Sequence, residues 1–376
     1  MIAIDTTFFA HSEAKNRKLT YSTSIFTADL LDAFSELGMA DRFCLIVNFN
    51  HLDFFRERFP DYNKIIPAKW WPVTFLYRVT KGKKTANRLI KKSGAFKRTA
   101  EKCGASAIWF PYAMNETFVH TKLKTFATIH DIYRIHHGSQ KEAKKFTEFI
   151  NDKSTSIITI SGYTRNDIVQ TTGCSKEIPI IPNSIEFDVS MQKAVPDIKE
   201  KKYILDLNAY IEKKNPLTLL KAFNLIKDKT DLTLVFCGGY KEEQVWNEMQ
   251  NFIEENSISS RVKMLFRVTD AERNWLLTNA AMFATPSLFE GFGRTPVEAA
   301  ICGIPVISTK ETSLYEATQG LCNYVENAMD EKELADKMLY LIKNPPAEKQ
   351  LAGIAQKLRE RYKKENCAKL YLKLFL

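Results

Sequence analysis

The chain has 376 residues, 45% of them apolar and 26% charged, and carries a formal charge of +10 at neutral pH. That length exceeds one ordinary core and fits two domains, and the composition is that of a soluble globular protein, with no apolar run approaching the roughly eighteen residues of a membrane helix. Seven scattered cysteines without a CxxC pair argue against a disulfide framework or a zinc site and for reduced thiols in the cytosol, and the start MIAIDTTFFAHS lacks the basic and apolar regions of a signal peptide.

In chain order, short β-branched or aromatic runs alternate with longer amphipathic segments. The first half predicts strands at 2–5, 43–49, 106–110, 125–129, 156–160 and 178–182. The second half predicts them at 203–207, 232–237, 261–266, 281–285, 304–308 and 321–325. Most gaps leave room for a helix, as at 215–228, where Leu219, Leu220, Phe223 and Ile226 recur at helical spacing. Continuous apolar strands separated by helices mean parallel sheets covered on both faces. The polar stretch 188–202 has a proline and no apolar period, and reads as a linker. The expected class is α/β with two Rossmann-like, doubly wound domains, 1–190 and 191–376. Residues 346–376 read as one or two amphipathic helices, the last a candidate to pack back on the first domain.

The charge is uneven. Residues 1–190 hold 27 Lys and Arg against 19 Asp and Glu, and residues 81–102 carry nine basic side chains and one acidic one. Preceded by Trp70 and Trp71, this basic segment fits an anionic membrane surface or a lipid-linked anionic substrate. It equally fits a solvated helix whose tryptophans join the core. Charge alone favours nucleic acid, so no nucleic-acid partner is expected.

The most informative stretch is 283-FATPSLFEGFGRTPVEAAICGIPVIST-309. Thr295, Pro296 and Glu298 predict a helix start with Thr295 as N-cap, proline at the first helical position and Glu298 closing a capping box. Glu290 then lies on the preceding loop, and Gly291-Phe292-Gly293 leads into a helix end whose unpaired N–H groups attract an anion. On the residues alone, Glu298 is a cap or a ligand contact, and Glu290 is an exposed loop acid or a ligand contact. Similarly, Lys213 and Lys214 are solvated lysines or phosphate cations, and His130, at the end of the 125–129 strand, is structural or ligand-facing.

The string SLFEGFGRTPVEAAICGIPVI resembles the signature of the retaining GT-B glycosyltransferases of family 4, with its Glu-x7-Glu element and Gly-x-Pro-Val strand. The resemblance extends through 311-ETSLYEATQG-320 and 329-MDEKELADKMLYLI-342. It implies that Glu290 contacts the donor sugar and that the backbone at Phe292, Gly293, Arg294 and Thr295 holds the sugar and diphosphate. It also implies that Glu298 takes the ribose hydroxyls. Lys214 matches the family's phosphate lysine, with Lys213 beside it. His130 in 125-TFATIHD-131 matches the family's histidine at the donor sugar. The chain departs from the pattern at Asn208 and Ser184, where glycine is usual, at Ala209, where many members have arginine, and in the glycine-free loop 5–26.

The implied function is retaining transfer of a hexosyl unit from a nucleotide diphosphate sugar to a hydroxyl of a glycan or lipid-linked glycan acceptor, in a cleft between the domains. Candidate catalytic residues are His130, Lys214 and Glu290, and candidate donor-binding residues are Lys213, Phe292, Gly293, Arg294, Thr295 and Glu298. No Asp-x-Asp string or metal-spaced cluster is present, so neither a metal nor a cofactor beyond the co-substrate is expected. The expected location is cytoplasmic, peripheral at the inner membrane face. A nicotinamide dehydrogenase is disfavoured, because neither DTTFF after the first strand nor Gly238-Gly239-Tyr240 makes the required glycine turn. The departures leave open a non-catalytic GT-B-like subunit that binds a sugar nucleotide or a partner enzyme.

Overall fold

The computed structural model describes residues 1–68, 95–113, 123–186, 188–196, 198 and 202–376. The aromatic, basic stretch 69–94 therefore lies outside the described residues, and of that segment only the helix Ala95–Lys102 is described. Two compact units form: Met1–Ser184 together with Lys363–Leu376, and Ile185–Tyr362.

The first unit is built on β1 (Ile2–Asp5), β2 (Phe43–Val47), β3 (Ile65–Pro67), β4 (Ala107–Phe110), β5 (Lys124–Ile129) and β6 (Thr155–Thr159), in the order β3-β2-β1-β4-β5-β6. The second uses β7 (Tyr203–Asp206), β8 (Thr233–Gly238), β9 (Val262–Phe266), β10 (Met282–Ala284), β11 (Val306–Thr309) and β12 (Asn323–Val325), in the order β12-β11-β10-β7-β8-β9. Every pair within both sheets is parallel. Both orders are the doubly wound one. The strand order reverses between β1 and β4 in the first sheet and between β7 and β10 in the second, and ligands bind outside the carboxyl ends at such points. Central strands such as β1, β2, β4, β7 and β8 are buried at every position, as helices on both faces require.

Two strand expectations change. The run 178–182 makes one isolated bridge, Thr159 with Ile180, because Pro179 and Pro182 have no N–H to extend a ladder. The strand β3, three residues long, is too short to stand out by pattern. The described residues of the 188–202 stretch are held to the second unit. Asn274 Nδ2 donates to the carbonyls of Asp188 and Met191 at 2.9 and 3.0 Å, Lys193 N to Ala271 O at 3.0 Å, and Val195 and Ile198 are buried. The last helix, Lys364–Phe375, packs on the helix Ser22–Glu36, and Cys367, Ala368, Tyr371 and Leu372 join the first unit's core. Its Tyr371 hydroxyl lies 3.1 Å from Thr128 Oγ1, which accepts from Trp109 Nε1 at 3.0 Å.

Candidate functional site

In the second unit, the carboxyl ends of β7 and β10 carry most of the residues singled out from the sequence. Beyond β7 the chain forms a 3-10 turn, Glu212–Lys214, and Asn215 then takes a left-handed conformation (φ 53°) before the helix Pro216–Ile226. Asn215 fixes this turn against its neighbours. Its Nδ2 donates to Pro286 O at 3.1 Å and Ala328 O at 2.7 Å, and its Oδ1 accepts from Thr218 Oγ1 at 2.7 Å. The Lys213 carbonyl accepts from Leu288 N at 2.9 Å and Phe289 N at 3.3 Å, tying the turn to the loop after β10. The Lys213 ammonium sits 5.8 Å from the centre of the Phe289 ring.

These ties bring Lys214 to Glu290 in a direct ion pair, with both side chains 14% exposed. Glu290 is held through its backbone as well. Its N–H donates to Thr312 Oγ1 at 3.3 Å, and its carbonyl accepts from Ser313 Oγ at 2.8 Å. An acid and a base separated by 76 residues thus meet at the strand-order reversal.

The helix after the glycines differs from the expected capping box. It runs Arg294–Ile301 with Gly293 as N-cap at φ 93°, so the chain turns into the helix before Thr295. A side chain would follow that path only at a cost, because a Cβ on Gly293 would lie 2.5 Å from Leu314 Cδ2. Glu298 is consequently too far along the helix to cap it. Its buried carboxylate instead receives Arg273 on Oε2 and Arg294 Nε on Oε1, the latter at 2.8 Å. A carboxylate has about four lone-pair sites, so hydroxyl donors can still be accepted. The Phe292 side chain is buried edge-on to Tyr362 at 5.4 Å, which leaves its backbone as the part able to meet a ligand. The helix is clamped by Arg359, whose guanidinium donates to Ile301 O at 2.6 Å.

Beneath the Lys214–Glu290 pair lies a buried polar chain not anticipated from the sequence. Asn208 Nδ2 donates to Asp206 Oδ1 and, at 3.0 Å, to Thr285 Oγ1, which is 3.1 Å from Ser287 Oγ. Asn208 Oδ1 accepts from Thr295 Oγ1 at 3.5 Å. Burial pushes the Asp206 carboxyl up to about 7, with the Asn208 hydrogen bond and the Lys214 charge opposing and the Glu290 charge adding. Asn208 thus works as a connector where a glycine was expected. The only sequence signal for Asp206 was an acid at the end of an apolar strand.

In the first unit, His130 follows β5, and Nε2 lies 2.8 Å from the Pro111 carbonyl. A carbonyl only accepts, so Nε2 carries the proton. Burial lowers the ring's pKa, opposed by the Pro111 hydrogen bond and Asp131. The imidazole is therefore neutral at pH 7, with the lone pair on Nδ1. Phe26 and Tyr112 pack edge-on to the ring at 4.9 and 5.7 Å. The glycine-free front loop is organised by Glu13, fully buried, which accepts from Ala10 N, Thr20 N, Tyr21 N and Ser24 Oγ at 2.7 to 3.0 Å. Ser184 is also fully buried and donates to Asp29 Oδ2 at 3.2 Å.

The whole chain shares its fold with Anabaena Alr3699/HepE, a structure in complex with UDP and glucose: the TM-score is 0.71, at 15% identity over 100% of this chain and 98% of that one. The class is therefore the GT-B fold, two doubly wound units in one chain. Residues 189–361, nearly all of the second unit, match the model of the glycosyl transferases group 1. An alpha-1,3/1,6-mannosyltransferase ALG2 of Dictyostelium discoideum is 30% identical over 216 residues, which cover 47% of this chain and 51% of that protein. The N-acetylgalactosamine-N,N'-diacetylbacillosaminyl-diphospho-undecaprenol 4-alpha-N-acetylgalactosaminyltransferase of Campylobacter jejuni is 32% identical over 149 residues, 39% of each chain. The chain thus spans about half or less of the length of these relatives. Among the described residues no helix is long and apolar enough to cross a membrane.

Proposed function

We propose that this protein is a retaining glycosyltransferase that moves a hexosyl unit from a nucleotide diphosphate sugar to a hydroxyl of a glycan or lipid-linked glycan, in cell-surface polysaccharide or glycolipid synthesis. The observation that carries the reading is the Lys214–Glu290 pair at the strand-order reversal of the second sheet, beside the amino end of the helix Arg294–Ile301. The match of residues 189–361 to the model of the glycosyl transferases group 1 supports the same reading. In this site Lys214, Lys213 and the helix end stabilise charge developing on the departing diphosphate, with no metal required. Glu290 exchanges Lys214 for hydroxyls of the donor sugar, and Glu298 accepts ribose hydroxyls while remaining held by its arginines. His130, neutral and fixed by Pro111, offers Nδ1 to the reacting sugar. The Campylobacter relative acts on a diphospho-undecaprenol glycan. That supports a lipid-linked acceptor here, met by a cytoplasmic protein peripheral to the inner membrane face.

The test is a thermal-shift panel of UDP, GDP, ADP, CMP and their common sugar conjugates against the wild type and Lys214→Ala. A ligand at a hundred times its dissociation constant adds about 2.7 kcal/mol of stability. A shift from one nucleotide class that the variant loses supports the reading. No shift from any of them overturns it in favour of a non-catalytic subunit acting through a partner.

A further inference from the structure

The buried chain beneath the ion pair gives the site a chemistry that the family resemblance does not contain. Asp206 is 2% exposed and Asn208 8% exposed, and both belong to the segment that leads from β7 into the lysine turn. Both hydrogens of the Asn208 amide are used, one on Asp206 and one on Thr285, so its oxygen can only face Thr295 in the first turn of the helix Arg294–Ile301. One amide therefore connects the carboxyl group, the end of β10 and the anion-attracting helix end. Among the described residues, the charged and titratable groups around the Asp206 carboxyl are Lys214 from the 3-10 turn, Glu290 from the loop after β10, Tyr210 just beyond β7 and Cys237 on β8. Lys214 is the one cation among them.

We propose that Asp206 and Asn208 form the floor of the donor site and couple occupation of that site by a nucleotide diphosphate sugar to a proton on the Asp206 carboxyl. The inference rests on the donor reading above. Lys214 serves two anions in turn: Glu290 when the site is empty, and the diphosphate when it is filled. A diphosphate diester brings two negative charges to the lysine above Asp206, and like charge disfavours the ionised carboxyl. By linkage, an ionised Asp206 disfavours the donor to the same extent. Asp206 is a positioning residue in this scheme, holding Asn208 and leaving the Lys214 charge undivided, and it touches no reacting atom.

The affinity of a donor should then fall with rising pH. With the carboxyl half-ionised near pH 7 in the empty site, the fall is roughly tenfold between pH 6 and pH 8, provided the bound donor moves that midpoint beyond pH 8. The donor's own diphosphate is fully ionised throughout this range, so the protein is the source of the effect.

Isothermal titration with UDP-glucose and GDP-mannose, in two buffers of different ionisation enthalpy at pH 7.5, counts the protons taken up. The wild type should take up roughly half to three-quarters of a proton at this pH and show the tenfold fall. Asp206→Asn should take up none and bind equally at pH 6 and pH 8. Asn208→Ala removes the hydrogen bond that favours the ionised carboxyl and should move the midpoint to higher pH, an effect loose packing would not produce. It also keeps the question open to measurement if Asp206→Asn does not fold. Binding that is independent of pH in the wild type, or proton uptake retained in Asp206→Asn, overturns the inference and leaves the donor reading standing. No binding of either sugar nucleotide, or of the other classes in the thermal-shift panel, overturns both.

Discussion

Gly293 offers a direct test of how the helix Arg294–Ile301 is set. Its φ of 93° and ψ of 59° fall beyond the left-handed well that other residues visit, and an added Cβ would sit 2.5 Å from Leu314 Cδ2. Gly293→Ala therefore carries two separable costs. The backbone term is about 1–2 kcal/mol. The second arises because Leu314 is fully buried and cannot swing into solvent, and overpacking of this kind costs about 1–3 kcal/mol. The sum, roughly 2–5 kcal/mol, corresponds to a drop of about 4–20 °C in melting temperature for a unit of this size. Gly303, at the other end of the same helix, separates the terms. It too has a positive φ, 77°, but a Cβ there meets nothing within 4 Å, so Gly303→Ala should lose the backbone term alone. Urea unfolding of both variants, and of Gly293→Ala combined with Leu314→Ala, measures the difference. The double variant should recover about 1–3 kcal/mol relative to additivity. Equal losses at Gly293 and Gly303 would refute the close approach to Leu314 as the reason for glycine.

Glu298→Ala should lose about 3 kcal/mol by urea unfolding, because it leaves the partly buried Arg273 and Arg294 without their shared carboxylate. A change below 1 kcal/mol would mean that the arginines find solvent. Lys214→Ala should lower kcat by about 10²–10³-fold, as loss of a preorganised charge does, while a parallel rise in KM alone would assign Lys214 to binding. Two buried groups titrate in opposite senses. His51 is buried with no hydrogen-bond partner on either ring nitrogen among the described residues, and burial, then His11, lowers it to about 4. The unfolded chain takes up this proton first, so stability is lost as pH falls from about 6.5 to 4. His51→Leu should remove about 2.5 kcal/mol of the difference between pH 8 and pH 4.5. Asp206, raised to about 7, favours the native state at low pH and loses that contribution as pH rises from about 4 to 7. Asp206→Asn should accordingly gain on the order of 2–4 kcal/mol relative to wild type at pH 8, read from denaturation at both pH values.

Much of this arrangement could be read from local patterns, and the exceptions share a cause. The βα alternation gave both sheets because continuous apolar strands leave a strong local record. Lys214 and Glu290 were each singled out by their own surroundings. Their direct pairing was not, since it depends on Asn215 anchoring one loop to another 71 residues away. The capping box failed for a similar reason. Thr-Pro-Val-Glu has the right spacing, but Gly293 takes a backbone path that other residues follow only at a cost and starts the helix early. Glu298 is then claimed by Arg273, 25 residues back on a different helix, a partner that spacing along the chain cannot reveal. Asp206 was passed over because an acid at a strand end usually means that the strand has reached solvent. Here the strand ends under a roof made of the lysine turn and the loop after β10.

That roof also bears on the missing cation at Ala209. On the proposed donor reading, the charged residues of the site are Lys213, Lys214, Arg273 and Arg294 against Glu290 and Glu298. With Asp206 protonated the balance is two positive charges, which matches a diphosphate diester; with Asp206 ionised it is one. A third arginine, at position 209, would make the site suit its ligand irrespective of that proton. Its absence makes the Asp206 proton decide whether the charges match. Ala209→Arg should therefore flatten the dependence of donor affinity on pH while raising the affinity at pH 8. If the arginine raised affinity equally at pH 6 and pH 8, the charge balance would not be what Asp206 controls.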